Sequence, residues 1–185
     1  MSGQDQLVRL VDDAVALADV EATVEQIKSR LCRLIRSGDF KLPRDFTAPN
    51  KDRYARRLLH RDNDRGYSIV VMTWGPGQGT PIHDHAGMWC VEGVVEGSLD
   101  VQQYELTDKR EGRYVFEKRN SYEAGVGSAG CLIPPFEYHS IANGSDEAIA
   151  VSVHVYGGDM CSCSVFEPQA DRWFIKNERA LSLDN

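Results

Sequence analysis

Histidines at positions 83 and 85 are the feature that most constrains this chain. They follow a glycine-rich turn over residues 75–79, and a third histidine, His139, follows a second, proline-containing turn. Side chains two residues apart on a β-strand point to the same face. Two imidazoles on one face can bind one metal ion, and a third from another strand would complete a facial set. The spacing therefore predicts a β-rich fold with a metal site.

Charge and composition narrow the class of partner. The 185 residues carry a net charge of −7 and contain no long basic run, which argues against nucleic acid. No apolar stretch is long enough to span a membrane, and the first residues lack a secretory pattern, so we expect a cytoplasmic protein. The five cysteines are an odd number without a C-x-x-C pair and are expected to be free thiols.

Hydrophobic periodicity divides the chain into a helical beginning and a strand-rich remainder. Two helical stripes occupy the first forty residues, and Asp19 is placed to cap the second helix. Short strands separated by turns follow from about Arg53, at Arg53–His60, Tyr67–Trp74, Met88–Val95, Ser98–Tyr104, Tyr114–Lys118, Ala129–Ile133, His139–Ala142, Ala148–Tyr156 and Cys163–Phe166. We predict one domain over residues 1–185: a helical segment over 1–45 and a double-sheet jelly-roll barrel over 50–176.

Two further rows of side chains share a strand face. Alternation places Ser152, His154 and Tyr156 on one side of their strand, where they form either a buried hydrogen-bonded relay or a solvated polar row. Tyr54 and Arg56 alternate in the same way. An inward arginine would need an anionic partner such as a substrate carboxylate, whereas an outward one would belong to a basic surface cluster.

The spacing around the histidines resembles the two motifs of the cupin fold. The matching residues are Gly77, His83, His85 and Gly97 in the first motif and Pro134, His139 and Asn143 in the second. The usual cupin glutamate ligand is missing, because Trp89 and Cys90 occupy its positions and Glu92 lies out of register. The resemblance implies a mainly β, double-stranded β-helix. Three neutral imidazoles would leave a divalent metal its full charge, which suits a soft anionic ligand such as a thiolate.

Taken together, these residues resemble the cysteine dioxygenase family of thiol dioxygenases. The resemblance runs from about residue 53 to about residue 166 and is carried by Arg53-Tyr54-Ala55-Arg56, Trp74-Gly75, Ile82-His83-Asp84-His85, Cys90, Gly97, His139 and Ser152-Val153-His154-Val155-Tyr156. It implies an enzyme that oxidises a small thiol such as L-cysteine with dioxygen to the sulfinic acid.

The resemblance also implies a role for each residue. His83, His85 and His139 match the ligands of a mononuclear iron(II). Arg56 matches the carboxylate-binding arginine, and Tyr54 matches a nearby active-site tyrosine. Ser152, His154 and Tyr156 match a hydrogen-bonded relay. Cys90 matches a cysteine that forms a thioether with the tyrosine in animal members, so a Cys90–Tyr156 crosslink is expected to be attainable.

Several alternatives stay open at this point. A related branch acts on 3-mercaptopropionate; it has glutamine in place of Arg56 and uses an arginine beyond the tyrosine. Here no arginine follows Tyr156 before Arg172, which favours cysteine. Other cupin chemistry, such as isomerisation or carbon–carbon cleavage, fits the metal motif but leaves Arg56, Cys90 and the relay unexplained. A non-catalytic metal-binding sensor is a third possibility. The expected partners are a small thiol and dioxygen, without nucleic acid or membrane, and the expected state is a monomer.

Overall fold

Two helices open the fold. The computed structural model describes residues 3–184; Met1, Ser2 and Asn185, which belong to the predicted domain, lie outside the described residues. Helix α1 spans Gly3–Val15 and α2 spans Val20–Arg36, and a 3₁₀ turn follows at Arg44–Thr47. The predicted cap is confirmed, since the Ala22 amide donates to Asp19 Oδ1 at 2.8 Å. Within the described range, neither helix combines the length and the apolar composition that a membrane span requires.

The rest of the described chain consists mainly of strands. They are β1 (Ala55–Asp62), β2 (Tyr67–Trp74), β3 (Ile82–His83), β4 (Cys90–Glu96), β5 (Ser98–Arg110), β6 (Arg113–Gly125), β7 (Ala129–Leu132), β8 (His139–Ala142), β9 (Ala150–Tyr156), β10 (Ser162–Pro168) and β11 (Phe174–Ala180). All nine predicted strands are present, and the bounds of β2 and β8 agree with the prediction.

Three differences from the predicted strands have local causes. Strand β3 contains only two residues, so His85 lies just beyond a strand instead of within one. The β5–β6 hairpin extends well past Tyr104, where its charged, exposed residues look like a loop in sequence. Strand β11 was missed, and it carries the barrel to Ala180 instead of residue 176. Its residues are mostly exposed, so apolar alternation could not reveal them.

The strands form two sheets, which confirms the predicted double-sheet jelly roll. One sheet has the order β1-β2-β9-β4-β7, and the other closes in the order β10-β11-β6-β5-β8-β3. Helices α1 and α2 cover the outer face of the first sheet, where Val151, Val153 and Val155 of β9 join their apolar cluster. Strands β2 and β9 are buried at every residue because both of their faces are covered. The inner face of β9 therefore points to the space between the sheets.

Candidate metal centre and substrate cavity

The structure brings the three predicted histidines together. His83 of β3 is the direct cross-strand partner of His139 of β8. Their Nε2 atoms lie 3.1 Å apart. The ring of His85, just past β3, has its centroid 5.3 Å from that of His83 and 4.9 Å from that of His139. One ring nitrogen from each histidine falls within 4.8 Å of the others, so the set has the dimensions of a metal site.

Burial keeps these imidazoles uncharged. It lowers the pKa of His83 to about 4 and holds the pKa of His85 and His139 well below the ordinary histidine value. Near neutral pH the three rings therefore offer lone pairs instead of positive charge. Neutral imidazole nitrogens suit a divalent transition metal, so the residues fit such an ion.

Each of the three histidines turns its Nδ1 nitrogen toward an oxygen atom. Nδ1 of His83 lies 3.1 Å from the Pro81 carbonyl oxygen. Nδ1 of His85 lies 3.8 Å from Glu137, and Nδ1 of His139 lies 3.8 Å from Glu92. A proton on Nδ1 leaves Nε2 free to bind metal. The Nε2 atoms of His83 and His139 thus face each other, and the outward contact of Nδ1 leaves Nε2 as the free nitrogen of His85.

The Glu92 carboxylate faces the outer nitrogen of His139 and therefore does not occupy a ligand position on the inner side of that ring. This geometry agrees with the absence of the usual cupin glutamate ligand. The contact between Glu92 and His139 was not predicted from the sequence. Glu92 lies two residues after Cys90 and therefore shares its inward strand face, which is the signal that could have indicated it.

The polar row of β9 is buried, so a solvated row is excluded. Ser152, His154 and Tyr156 are at most 2% exposed. Ser152 Oγ lies 2.8 Å from His154 Nε2 and accepts a hydrogen bond from the indole nitrogen of Trp74 at 2.9 Å. His154 and Tyr156 stack at 6.0 Å, and no hydrogen bond joins them among residues 3–184. The serine–imidazole half of the expected relay is formed, and the imidazole–phenol half is not.

Cys90 lies directly across from Tyr156 in the pairing of β4 with β9. Both side chains are almost fully buried. Burial, and to a lesser extent the nearby Glu92, raises the pKa of the Cys90 thiol well above its usual value. Burial likewise raises the pKa of Tyr156. The pairing places the Cys90 thiol next to the phenol ring of Tyr156, the residue with which the family resemblance pairs it.

A cavity that is partly open to solvent lies beside the three histidines and the inner face of β9. Its walls include the three histidines together with Tyr54, Arg56, Trp74, His154, Tyr156 and Arg179. Arg56 is only 3% exposed, so a surface role is excluded; its Nη2 donates to the Met160 carbonyl oxygen at 3.1 Å. The Tyr54 ring stacks on Trp74 at 4.5 Å. No aspartate or glutamate is among the described lining residues, so the cavity favours an anionic ligand.

Arg179 is a lining residue of the cavity that was not predicted from the sequence. It lies on β11 opposite Cys163 of β10, and this pairing turns it toward the cavity. No motif indicates it, because its position depends on a strand that the sequence pattern did not reveal.

Comparisons with known proteins identify a family of similar sequences. A profile of the family "Cysteine dioxygenase type I" matches residues 3–169. Cysteine dioxygenase type 1 of Rattus norvegicus is 24% identical over 155 residues, which cover 84% of this chain and 72% of the rat protein. The Homo sapiens protein of the same name is 26% identical over 115 residues, or 62% of this chain and 56% of the human protein.

Two solved structures resemble part of this chain. A Thermus thermophilus protein matches with a TM-score of 0.48 and 19% identity over 63% of this chain and 94% of its own. A conserved Klebsiella pneumoniae protein with a double-stranded β-helix domain matches with a TM-score of 0.47 and 18% identity, over 61% of this chain and 79% of its own.

The family profile spans most of the length of this chain. The chain therefore belongs to the cysteine dioxygenase type I family and is an oxidoreductase of the dioxygenase class.

Proposed function

We propose that the protein oxidises the thiol of L-cysteine with dioxygen to the sulfinic acid, at an iron(II) ion held by His83, His85 and His139. The observation that carries the proposal is that three neutral imidazoles and a buried arginine line one cavity. When bound, iron(II) supplies the redox chemistry that joins the thiolate to both atoms of dioxygen, so that RSH and O₂ balance as RSO₂H. The family membership supports this reaction class.

Arg56 is the proposed binding residue for the substrate carboxylate. Its guanidinium is buried in the cavity wall, and its Nε has no hydrogen-bond partner, so it has donor capacity left for an anion. A planar guanidinium binds a carboxylate through two parallel hydrogen bonds. Tyr54 lies on the same wall and narrows the cavity beside it. A carboxylate held at Arg56 would direct the sulfur and amino nitrogen of cysteine toward the histidines.

Tyr156 is the proposed hydrogen-bond donor to the reacting atoms. Burial raises the pKa of its phenol, so the hydroxyl keeps its proton at neutral pH. Its ring centroid lies 5.9 Å from that of His85, which places it at the edge of the histidine set. Ser152 and His154 would hold the neighbouring wall in place. We further propose that Cys90 and Tyr156 form a thioether by loss of two hydrogen atoms to dioxygen as the oxidant.

3-Mercaptopropionate is a second candidate substrate, and Arg179 is the observation that favours it. This arginine lies beyond the tyrosine in sequence and lines the cavity. The thiol and carboxylate of mercaptopropionate match those of cysteine, and the lining residues among 3–184 include no carboxylate for an ammonium group. Arg179 and Arg56 are therefore the two candidate binding residues for the carboxylate of either substrate.

Dioxygen uptake by the iron-loaded protein tests the proposal. Cysteine has both a carboxylate and an amino group, mercaptopropionate has only the carboxylate, and cysteamine has only the amino group. Uptake with cysteine well above the other two, with sulfinic acid as product, is the expected result. Higher turnover of mercaptopropionate would favour the second candidate. Binding of a thiol without any uptake would instead indicate a sensor, and no uptake with all three thiols would refute the proposed activity. A monomeric state and a cytoplasmic location remain predictions.

A further inference from the structure

Glu92 occupies a buried position between the histidine set and the polar row of β9. It is the direct cross-strand partner of His154 in the pairing of β4 with β9. Its Oε2 lies 3.5 Å from His154 Nδ1, and its Oε1 lies 3.8 Å from His139 Nδ1. Only 9% of the residue is exposed. One carboxylate thus faces the outer nitrogens of two different imidazoles.

The hydrogen bonds around His154 determine which of its nitrogens carries the proton. The Trp74 indole can only donate, and it donates to Ser152 Oγ. The serine hydroxyl is then free to donate its own proton to His154 Nε2, 2.8 Å away. A neutral imidazole that accepts at Nε2 carries its proton on Nδ1. That proton points to Glu92 Oε2, which lies 3.5 Å away and can accept it.

The Nδ1 nitrogen of His139 also faces Glu92. Its Nε2 faces Nε2 of His83 across the proposed metal position, and its Nδ1 is buried without a hydrogen-bond partner. Glu92 Oε2 is likewise buried without one. Unpaired buried polar atoms are costly, and a small inward movement of the carboxylate would pair both imidazoles at once. Glu92 is therefore the group placed to accept the Nδ1 proton of His139.

We propose that Glu92 is a positioning residue of the metal centre: its two carboxylate oxygens accept the Nδ1 protons of His139 and His154 and so fix both rings in the orientation that the centre needs. The proposal rests on the proposed function only in taking His139 as a metal ligand. Glu92 touches neither the metal position nor the cavity wall of the substrate. Carboxylates in this outer position orient a ligand histidine and raise its basicity.

The substitution Glu92→Gln tests the proposal with almost unchanged shape. A glutamine has one carbonyl oxygen and one amide nitrogen, so it can accept only one of the two protons and presents a donor to the other. Glu123→Gln is the matched control, because Glu123 is an exposed residue of strand β6 and the change in charge is the same. Co²⁺ serves as the metal probe, and its binding is followed by its visible absorption.

The expected result is about 10- to 100-fold weaker Co²⁺ binding in Glu92→Gln, with an altered cobalt spectrum, and wild-type behaviour in Glu123→Gln. Equal affinity and an identical spectrum in both variants would overturn the positioning role while leaving the proposed function intact. Failure of the wild-type protein to bind Co²⁺ would instead overturn the three-histidine centre, and the positioning role with it.

A second measurement covers the case in which Glu92→Gln does not fold. Nitrogen-15 NMR of histidine-labelled, metal-free wild-type protein reports which ring nitrogen of each histidine carries the proton. Nδ1-protonated, hydrogen-bonded forms of His139 and His154 are expected. Nε2-protonated forms of both would refute the proposal without any variant.

Discussion

At the scale of single residues, we propose that Arg56 contributes most to the specificity of the cavity. Its backbone amide donates to Asp184, and its Nη2 and Nη1 donate to the carbonyl oxygens of Met160 and Ser182. These contacts hold the guanidinium against the cavity while leaving Nε unpaired. Binding of an anionic ligand stabilises a buried cation that has unpaired hydrogen-bond donors.

We therefore expect Arg56→Lys to raise the KM for cysteine about 10- to 100-fold, because an ammonium cannot form the two parallel bonds, which contribute roughly 1.5–3 kcal/mol. Steady-state dioxygen uptake measures this effect. Arg57→Lys is the control, since Arg57 bonds the Ala48 carbonyl oxygen and does not line the cavity. Turnover of cysteamine, which has no carboxylate, should respond little. An unchanged KM for cysteine in Arg56→Lys would argue against carboxylate binding at this residue.

The Cys90–Tyr156 pair leads to a second prediction at this scale. Register places the two residues opposite each other, and both are buried. After turnover with iron, thiol and dioxygen, we expect a fraction of the protein to lose the mass of two hydrogen atoms. Intact-mass spectrometry followed by peptide mapping detects it, and Cys90→Ser should abolish it. The same loss in Cys90→Ser would place the modification elsewhere.

At the level of elements, the packing of α2 against β4 supports the site from outside. Gly93 lies on the outer face of β4, between the inward-facing Glu92 and Val94. A Cβ atom at Gly93 would approach Leu31 Cδ2 to 2.8 Å and Ile35 Cδ1 to 3.2 Å. Leu31 is fully buried, so it has little room to move. The absence of a side chain at Gly93 thus allows helix and sheet to pack closely.

Gly93→Ala is therefore expected to lower the free energy of unfolding by about 1–3 kcal/mol through overpacking. Urea unfolding followed by circular dichroism measures the change. Gly125→Ala is the control, because a Cβ there meets no heavy atom within 4 Å and should change stability by only about 0.5 kcal/mol. Equal changes in the free energy of unfolding for the two substitutions would mean that α2 can shift to accommodate the added methyl group without destabilising the fold.

At the scale of the whole molecule, the last described residues form hydrogen bonds with strand β1 and the residues just before it. Asp184 accepts hydrogen bonds from the Arg56 amide at 2.8 Å, from Asn50 at 3.0 Å and from Arg53 at 2.9 Å. Partial burial raises the pKa of this carboxyl, but the three donors outweigh it and hold the pKa below the ordinary aspartate value. Because Leu181 and Arg56 both line the cavity, this connection also sets one of its walls.

A folded-state pKa below the unfolded value means that this stabilisation is complete above about pH 4 and is lost as the pH falls through the folded-state pKa. Asp184→Asn should lower the free energy of unfolding by about 2 kcal/mol at neutral pH. It should also flatten the loss of stability on acidification below about pH 4. Unfolding curves at several pH values measure both effects, with the exposed Asp146→Asn as control. A slope identical to wild type would exclude Asp184 from acid unfolding.

Much of the fold and part of the site follow from local patterns. Period-two alternation placed Ser152, His154 and Tyr156 on one face of β9, and helical periodicity with Asp19 predicted the second helix. These properties belong to neighbouring residues, so the chain carries them before any sheet forms. The three histidines are also evident locally, through their spacing and the turns before them.

The local patterns therefore predict a set of inward-facing side chains on strands and a helical segment beside them. Which of those side chains meet depends on how the strands pair in the folded protein. The contact of Glu92 with His154 depends on the register between β4 and β9, and the position of Arg179 depends on the pairing of β11. Register and pairing are chosen by burial summed over strands far apart in the chain, so no local pattern contains them.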